Sequence, residues 1–398
     1  MLLFFLSRTL GALFLAALSV MNVQAQPQPQ PLPVLPDAPN VDARHYVLLD
    51  PASRQILAAR KAEEQAPPAS LTKLMTTYLT FQALSRGGLK LDQLIPVSVA
   101  AWKAGGSTMF LQPDMPATVE QMIRGMVVVS GNDAAVALAE AIAGNTASFV
   151  QMMNATAHQL GMTESHFDNV NGLPTTTHLV SARDIGVLTQ GIMLQYPQYL
   201  HYFGEHTFTY NHVTQQNWNP LVFTDSSVTG MKTGHTDEAG YCLDATAVRN
   251  GHPLIAVVLG SATRKASAKA AEALLDYGYR FFETHRAYSA NQVVSMVRNN
   301  QASPAQIPVG TTKDVWATVP LGHYSSLTPR LDMSVNMSLP LKRGQQVGQL
   351  ILSDGNREVV EVPLVALTPV EQVGWLGHWW NVIHGKFEGF EHRDGKSS

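Results

Sequence analysis

Several common functions are ruled out by what this chain has little of. It holds one cysteine, Cys242, in 398 residues, so no internal disulfide framework can form. With no Cys/His cluster beside it, a structural zinc centre is not expected, and neither is any other metal or cofactor. Charge is sparse, with Asp, Glu, Lys and Arg at 14% and a net charge of −3. That balance supplies no basic face, so no nucleic-acid partner is expected. The most apolar stretch at the N-terminus is interrupted by Ser7, Arg8 and Thr9, and the apolar run after Thr9 falls short of the roughly 18 residues that a membrane span requires. What the chain does have is 45% hydrophobic residues, enough at this length for two or more packed domains.

The N-terminus points to a compartment. Residues 1–25 carry one positive charge at Arg8, an apolar stretch from Leu10 to Val20, and Val23-x-Ala25, the arrangement of a cleaved export signal. A membrane anchor is the competing reading. Residues 26–40 are Pro- and Gln-rich, "QPQPQPLPVLPDAP", and read as an extended linker. The mature protein is therefore expected to act outside the cytoplasm.

Folded sequence begins with "HYVLLDPASRQILAAR", two alternating runs joined at Asp50-Pro51-Ala52-Ser53 as a β-hairpin. A helix comes next, led by Pro67 and Pro68, with Leu71, Leu74, Met75, Tyr78 and Leu79 on one face and Gly87-Gly88 at its end. Ser70 falls in its first turn, near the positive end of the helix dipole, and Lys73 lies one turn along on the same face. Taken alone, "SLTK" is as well explained by a helix cap and a solvated lysine. Farther on, an apolar run ends at Ser130-Gly131-Asn132 and resumes as an Ala-rich helix, while Lys232-Thr233-Gly234 opens a strand-like alternation. Each of these also has a bland reading, as a cap or as an edge strand with a bulge glycine. A second Ser-x-Asn at Ser334 to Asn336 shows how readily the pattern arises.

Order and combination separate these fragments from chance. Ser70 is the only serine with a lysine three residues on, and Ser-x-x-Lys, Ser-Gly-Asn and Lys-Thr-Gly succeed one another at 70–73, 130–132 and 232–234. This is the signature of penicillin-binding proteins and class A β-lactamases. The surrounding "SLTKLMT", "SGNDAAVALAE", "DIGVLTQ", "KTGHTDEAGY" and "GYRFFET" resemble the low-molecular-weight penicillin-binding proteins, the D-alanyl-D-alanine carboxypeptidases. The resemblance extends over roughly residues 40 to 390.

That resemblance implies a fold and a set of roles. The fold would be an α/β (α+β) β-lactamase/transpeptidase-like catalytic domain over 41–287, with an antiparallel sheet and a helical cluster. Ser70 would be acylated, Lys73 would take its proton, and Ser130 would relay a proton to the leaving amine. An ordinary lysine is charged at neutral pH; burial and a second ammonium from Lys232 would lower the Lys73 pKa. Asn132 would hold the substrate amide, Lys232 and Thr233 the terminal carboxylate, and Gly234 would let the peptide lie flat. The N–H groups of Ser70 and His235 would form an oxyanion hole. The partners would be the peptidoglycan stem pentapeptide and β-lactam antibiotics. Members of this family usually carry an arginine where Ser267 stands here; Arg264, one turn earlier, is the candidate substitute or else a solvated charge.

The alternatives are an endopeptidase on D-Ala cross-links, a class A-like β-lactamase and a silent peptidoglycan-binding protein. The β-lactamase reading needs a deacylating Glu, and Glu164 lacks the Glu-x-x-Leu-Asn context.

Beyond residue 288, Val293, Val294, Val297, Val315, Val319, Val335, Val347, Leu350 and Val359 alternate with polar residues between turns at Lys342-Arg343-Gly344 and Asp354-Gly355-Asn356. A small antiparallel β domain is predicted over 288–368. In the tail, Val373, Leu376, Trp380, Ile383, Phe387 and Phe390 recur at three- and four-residue steps. This predicts an amphipathic helix over 369–392, lying on the outer face of the inner membrane or packed on the β domain. The location implied is the periplasm, attached to the inner-membrane surface.

Overall fold

The computed structural model describes residues 35–333 and 337–373. The export signal, residues 26–34 of the linker, the second Ser-x-Asn and the tail from residue 374 lie outside the described residues.

The hairpin reading of residues 45–60 holds: β1 (His45–Leu49) pairs antiparallel with β2 (Ile56–Arg60). The Asp50 carboxylate closes the turn by accepting from the Ala52 and Ser53 amides at 2.7 and 2.9 Å, as Asx side chains do in turns. Three later strands complete the sheet: β3 (Val228–Thr236), β4 (Gly240–Arg249) and β5 (His252–Ser261). Its order is β2-β1-β5-β4-β3, antiparallel throughout. In β5, Leu254 to Leu259 are buried without alternation, because the sheet is covered on both faces.

One face packs against the helical cluster: α1 (Lys73–Ser85), α2 (Val119–Val128), α3 (Asn132–Ala143), α4 (Thr146–Leu160) and α5 (Ala182–Gln195). The other carries α6 (Arg264–Phe281), whose Ala271, Leu274 and Leu275 meet Leu243, Ala256 and Val258. Leu35, Ala38 and Val41 pack on this second core, and the Tyr277 hydroxyl donates to the Pro36 carbonyl at 2.9 Å. The linker expected to run to residue 40 therefore ends earlier, since its apolar residues find a face to bury.

The second domain is all β. A five-stranded antiparallel sheet is built from 293–298, 306–310, 357–366, 346–354 and 327–333, in that spatial order. Ile307, Val309, Val347, Leu350 and Leu364 form its core. Two boundaries differ from expectation. Phe282–Tyr288 pairs with Val315–Pro320, so the domain starts at 282 rather than 288. At the other end Val370 is fully buried and Glu371–Gln372 pairs with Ala302–Ser303, so no helix begins at 369. The segment just before the tail stripe is held by the β domain, with Val370 in its core and bridged to Leu341.

The domains meet at the β1–β2 turn. The Thr284 hydroxyl donates to the Asp50 carboxylate at 2.6 Å, and the Thr318 amide donates to the Gln55 side chain at 3.0 Å. Gln55 also donates to the Val359 carbonyl.

Candidate active site

Three segments distant in sequence converge beside β3. The first is a 3-10 turn, Ala69–Thr72, from which α1 continues at Lys73. Ser70 was expected in the first α-helical turn; the turn it occupies is instead tighter and precedes the α-helix. Ala69 adopts φ +47°, a left-handed conformation that an L-residue holds only when its surroundings enforce it.

The second is the junction of α2 and α3. A Thr118–Gln121 capping box starts α2, and the chain turns through Ser130, at φ +62°, into α3 at Asn132. The Asp133 carboxylate accepts from the Thr108 hydroxyl at 2.6 Å and from the Met109 and Leu111 amides at about 3 Å. Those bonds hold the 105–111 loop over Asn132, whose side chain donates to the Gly105 carbonyl at 2.5 Å. Ser130 Oγ and Asn132 Oδ1 are buried without a hydrogen-bond partner among the described residues, a costly state unless something polar docks there.

The third is β3 itself. A Cβ at Gly234 would lie 3.0 Å from the Ser70 nitrogen and the Pro68 oxygen, so a side chain there would push the strand and the Ser70 turn apart by a few tenths of an ångström. Lys232 Nζ donates to the Thr233 carbonyl at 2.8 Å, and the ring of exposed His235 lies tilted against Tyr241 with centroids 4.0 Å apart.

At the centre Lys73 Nζ lies 2.8 Å from Ser70 Oγ and donates to the Asn171 carbonyl at 2.7 Å. Lys73 is fully buried. Burial, then the Lys232 ammonium, holds its pKa well below the usual lysine range, against an opposing pull from Asp133. Burial also lowers Lys232, to about 7. An amine deprotonated in this way can accept the serine proton, which an ordinary lysine cannot.

A pocket of about 180 Å³ opens above, with Ser70, Ser107, Ser130, Thr233 and His235 in its wall. Lys73, Asn132 and Lys232 are buried and do not line it. Arg264, at the start of α6, does line it, and its guanidinium lies 4.3 Å from the ring centre of Trp218. Trp218 is anchored in turn, its indole N–H donating to the Val129 carbonyl at 3.1 Å. Ser267, where the family resemblance led to the expectation of an arginine, is buried and donates to the Arg264 carbonyl at 2.9 Å. Cys242 also lines the pocket, but burial pushes its thiol up to about 11, which removes it as a neutral-pH nucleophile. The Glu164 backbone is tied to Asp184 and Gln65, and Glu164 does not line the pocket. Among the described residues no group of three or more His, Cys, Asp or Glu could hold a metal ion.

Residues 33–263 match the family model described as D-alanyl-D-alanine carboxypeptidase. The chain belongs to this family of serine peptidases. Residues 282–372 match a second model, the C-terminal domain of penicillin-binding protein 5, beginning at the first strand of the β domain. The chain is 35% identical over 359 residues to the D-alanyl-D-alanine carboxypeptidase DacC of Escherichia coli K12, covering 88% of this chain and 90% of that one. Penicillin binding protein 5 from Haemophilus influenzae superposes with a TM-score of 0.81 at 34% identity, over 85% of this chain and all of that one. Penicillin-Binding Protein D2 from Listeria monocytogenes, solved in an ampicillin-bound form, superposes at 0.56 with 27% identity over 61% of this chain and all of that one.

Three residues that contact or support the candidate site were not singled out in the sequence. The Asn171 carbonyl and Trp218 carry no motif; Thr72 sits inside "SLTK", where only Ser and Lys draw attention.

Proposed function

We propose that this carboxypeptidase removes the terminal D-alanine from peptidoglycan stem pentapeptides through an acyl-enzyme on Ser70, and that β-lactams acylate the same oxygen. One observation carries the reading: a fully buried lysine amine, its pKa well below the usual range, 2.8 Å from a half-buried serine hydroxyl. Ser70 Oγ attacks the penultimate D-Ala carbonyl while its proton passes to Lys73 Nζ. The tetrahedral oxyanion rests on the Ser70 and His235 amides. Ser130 Oγ hands a proton to the departing D-Ala nitrogen as the C–N bond breaks, leaving an ester on Ser70. Water then adds to that ester, its proton returns through the same groups, and Ser70 is regenerated. Thr233 and Arg264 meet the terminal carboxylate from the pocket wall, and the buried Lys232 amine and the unpartnered Asn132 carbonyl oxygen, behind that wall, take the carboxylate and the substrate amide once substrate is seated. Gly234 keeps β3 low enough for the peptide to lie along it.

The reaction takes place outside the cytoplasm, in the periplasm, a reading supported by the export pattern of residues 1–25. The apolar stripe of the tail, flanked by Trp375 and Trp379, supports attachment to the inner-membrane surface; no helix among the described residues is long and apolar enough to cross a membrane.

Fluorescent penicillin labelling, with mass spectrometry of the adduct, tests the assignment together with product analysis on pentapeptide. Ser70→Ala is expected to abolish labelling in a folded protein. Lys73→Arg is expected to lower acylation by about 10²-fold or more, because a guanidinium does not give up its proton. An adduct on another residue would overturn the reading.

A further inference from the structure

Beneath the catalytic turn runs a buried chain of hydrogen bonds that no motif includes. The Asp168 amide donates to His178 Nδ1 at 3.0 Å. That nitrogen is therefore the acceptor, and the neutral ring carries its proton on Nε2. His178 Nε2 lies 2.7 Å from Thr72 Oγ1, and Thr72 Oγ1 donates to the Ala69 carbonyl at 2.8 Å. Every donor in the chain then has one acceptor. Thr72 is fully buried and His178 is 2% exposed, with Phe167 edge-on against the ring at 5.7 Å. Burial holds the imidazole pKa down at about 4, so the ring stays neutral and keeps this tautomer across the working range.

The end of the chain is what gives it meaning. The Ala69 C=O and the Ser70 N–H are opposite ends of one planar trans peptide unit, so fixing the oxygen aims the N–H. The same unit is wedged between two glycines: a Cβ on Gly172 would lie 1.9 Å from the Ala69 oxygen, and one on Gly234 would lie 3.0 Å from the Ser70 nitrogen. Ala69 holds φ +47°, a conformation that an unsupported turn would leave by rotating this plane. A hydrogen bond accepted at the carbonyl also polarises the N–H across the plane.

We infer that His178 and Thr72 are positioning residues for the oxyanion hole, acting through the Ala69 carbonyl to orient the Ser70 amide N–H. The inference rests on the reading of Ser70 as the acylated residue. Neither side chain touches substrate, so neither is a catalytic residue.

The test is infrared difference spectroscopy of the acyl-enzyme formed with a penicillin whose β-lactam carbonyl carries ¹³C, alongside acylation rates. The ester carbonyl of the parent enzyme is expected to show one band, lowered by its hydrogen bonds. In Thr72→Val and in His178→Leu, part or all of that band moves toward the frequency of the denatured acyl-enzyme. Acylation falls about tenfold to a hundredfold, less than the ~10²–10³ that outright loss of a donor costs. Thr72→Ser keeps the hydroxyl, and His178→Gln places an amide N–H within reach of it; both are expected to retain the parent band. Loss of melting temperature with an unmoved band and acylation within twofold, in whichever of the two disrupting variants folds, overturns the inference alone. An adduct on a residue other than Ser70 overturns the parent reading and this inference with it.

Discussion

Gly172 packs so tightly over Ala69 that a Cβ would overlap the Ala69 carbonyl oxygen at 1.9 Å. Gly172 also sits at φ +89°, where a side chain is strained whatever the space. Gly172→Ala should therefore cost about 1–3 kcal/mol of stability and displace the Ser70 turn. Urea unfolding and penicillin labelling check both effects; an unchanged midpoint with full labelling would contradict the packing.

The buried lysines make stability depend on pH in a definite direction. Lys232 has a folded pKa of about 7 against 10.5 in an unfolded chain. Between those values the unfolded state binds a proton that the native state lacks, so stability rises with pH from about 7 toward 10.5 and is lowest below 7. Lys73 is shifted in the same sense. Lys232→Met should remove one site's share of the slope, at most about 1.4 kcal/mol per pH unit. Urea midpoints at several pH values between 7.5 and 9.5 decide this, and equal slopes in parent and variant would count against a Lys232 pKa lowered by burial.

Arg264 is exposed, and its guanidinium lies 4.3 Å from the ring centre of Trp218 at the pocket wall. If it meets the substrate carboxylate, Arg264→Ala should lower kcat/KM on the free-acid pentapeptide roughly tenfold, the effect of losing one charge-assisted hydrogen bond. On a C-terminally amidated substrate the same change should cost much less. Trp218→Ala should reproduce part of the loss, and Trp218→Phe, which keeps a ring face, should recover most of it. Equal losses on acid and amide would remove Arg264 from carboxylate recognition.

Truncation has a defined limit at the C-terminus. Val370 is fully buried, and the Val373 amide donates to the Gln301 carbonyl at 2.9 Å. A chain ending at Val373 should fold, keep peptidase activity on soluble substrate and leave the membrane fraction, whereas one ending before Val370 should lose stability by opening the β-domain core. Sedimentation of the longer truncation with membranes would contradict anchoring by the tail.

Much of this was legible in the amino-acid order. Ser70, Lys73, Ser130, Asn132 and Lys232 could be picked out as candidates because three short motifs follow one another in a family's order, and the structure brings them together beside one strand. The hairpin at 45–60 could be found because turn residues at Asp50–Ser53 separate two β-type runs, and the strands after 290 because burying one face of a sheet imposes a period of two. Domain limits were less visible. Phe282 joins the β domain by pairing with Pro320 and Val370 by a bridge to Leu341, and no local pattern encodes a distant partner.

What only the tertiary structure decided is how the site is held. Lys73 is anchored by a backbone carbonyl 98 residues away at Asn171, and Thr72 meets His178 across 106 residues. A backbone carbonyl has no residue identity to read, and a threonine or histidine acquires its role here only when the loop before α5 docks on the Ser70 turn. Even the lysine pKa, on which the chemistry depends, is set by burial. The side-chain types and their spacing are local properties that the chain spells out, whereas desolvation and the aim of a peptide plane come from packing between segments remote in sequence.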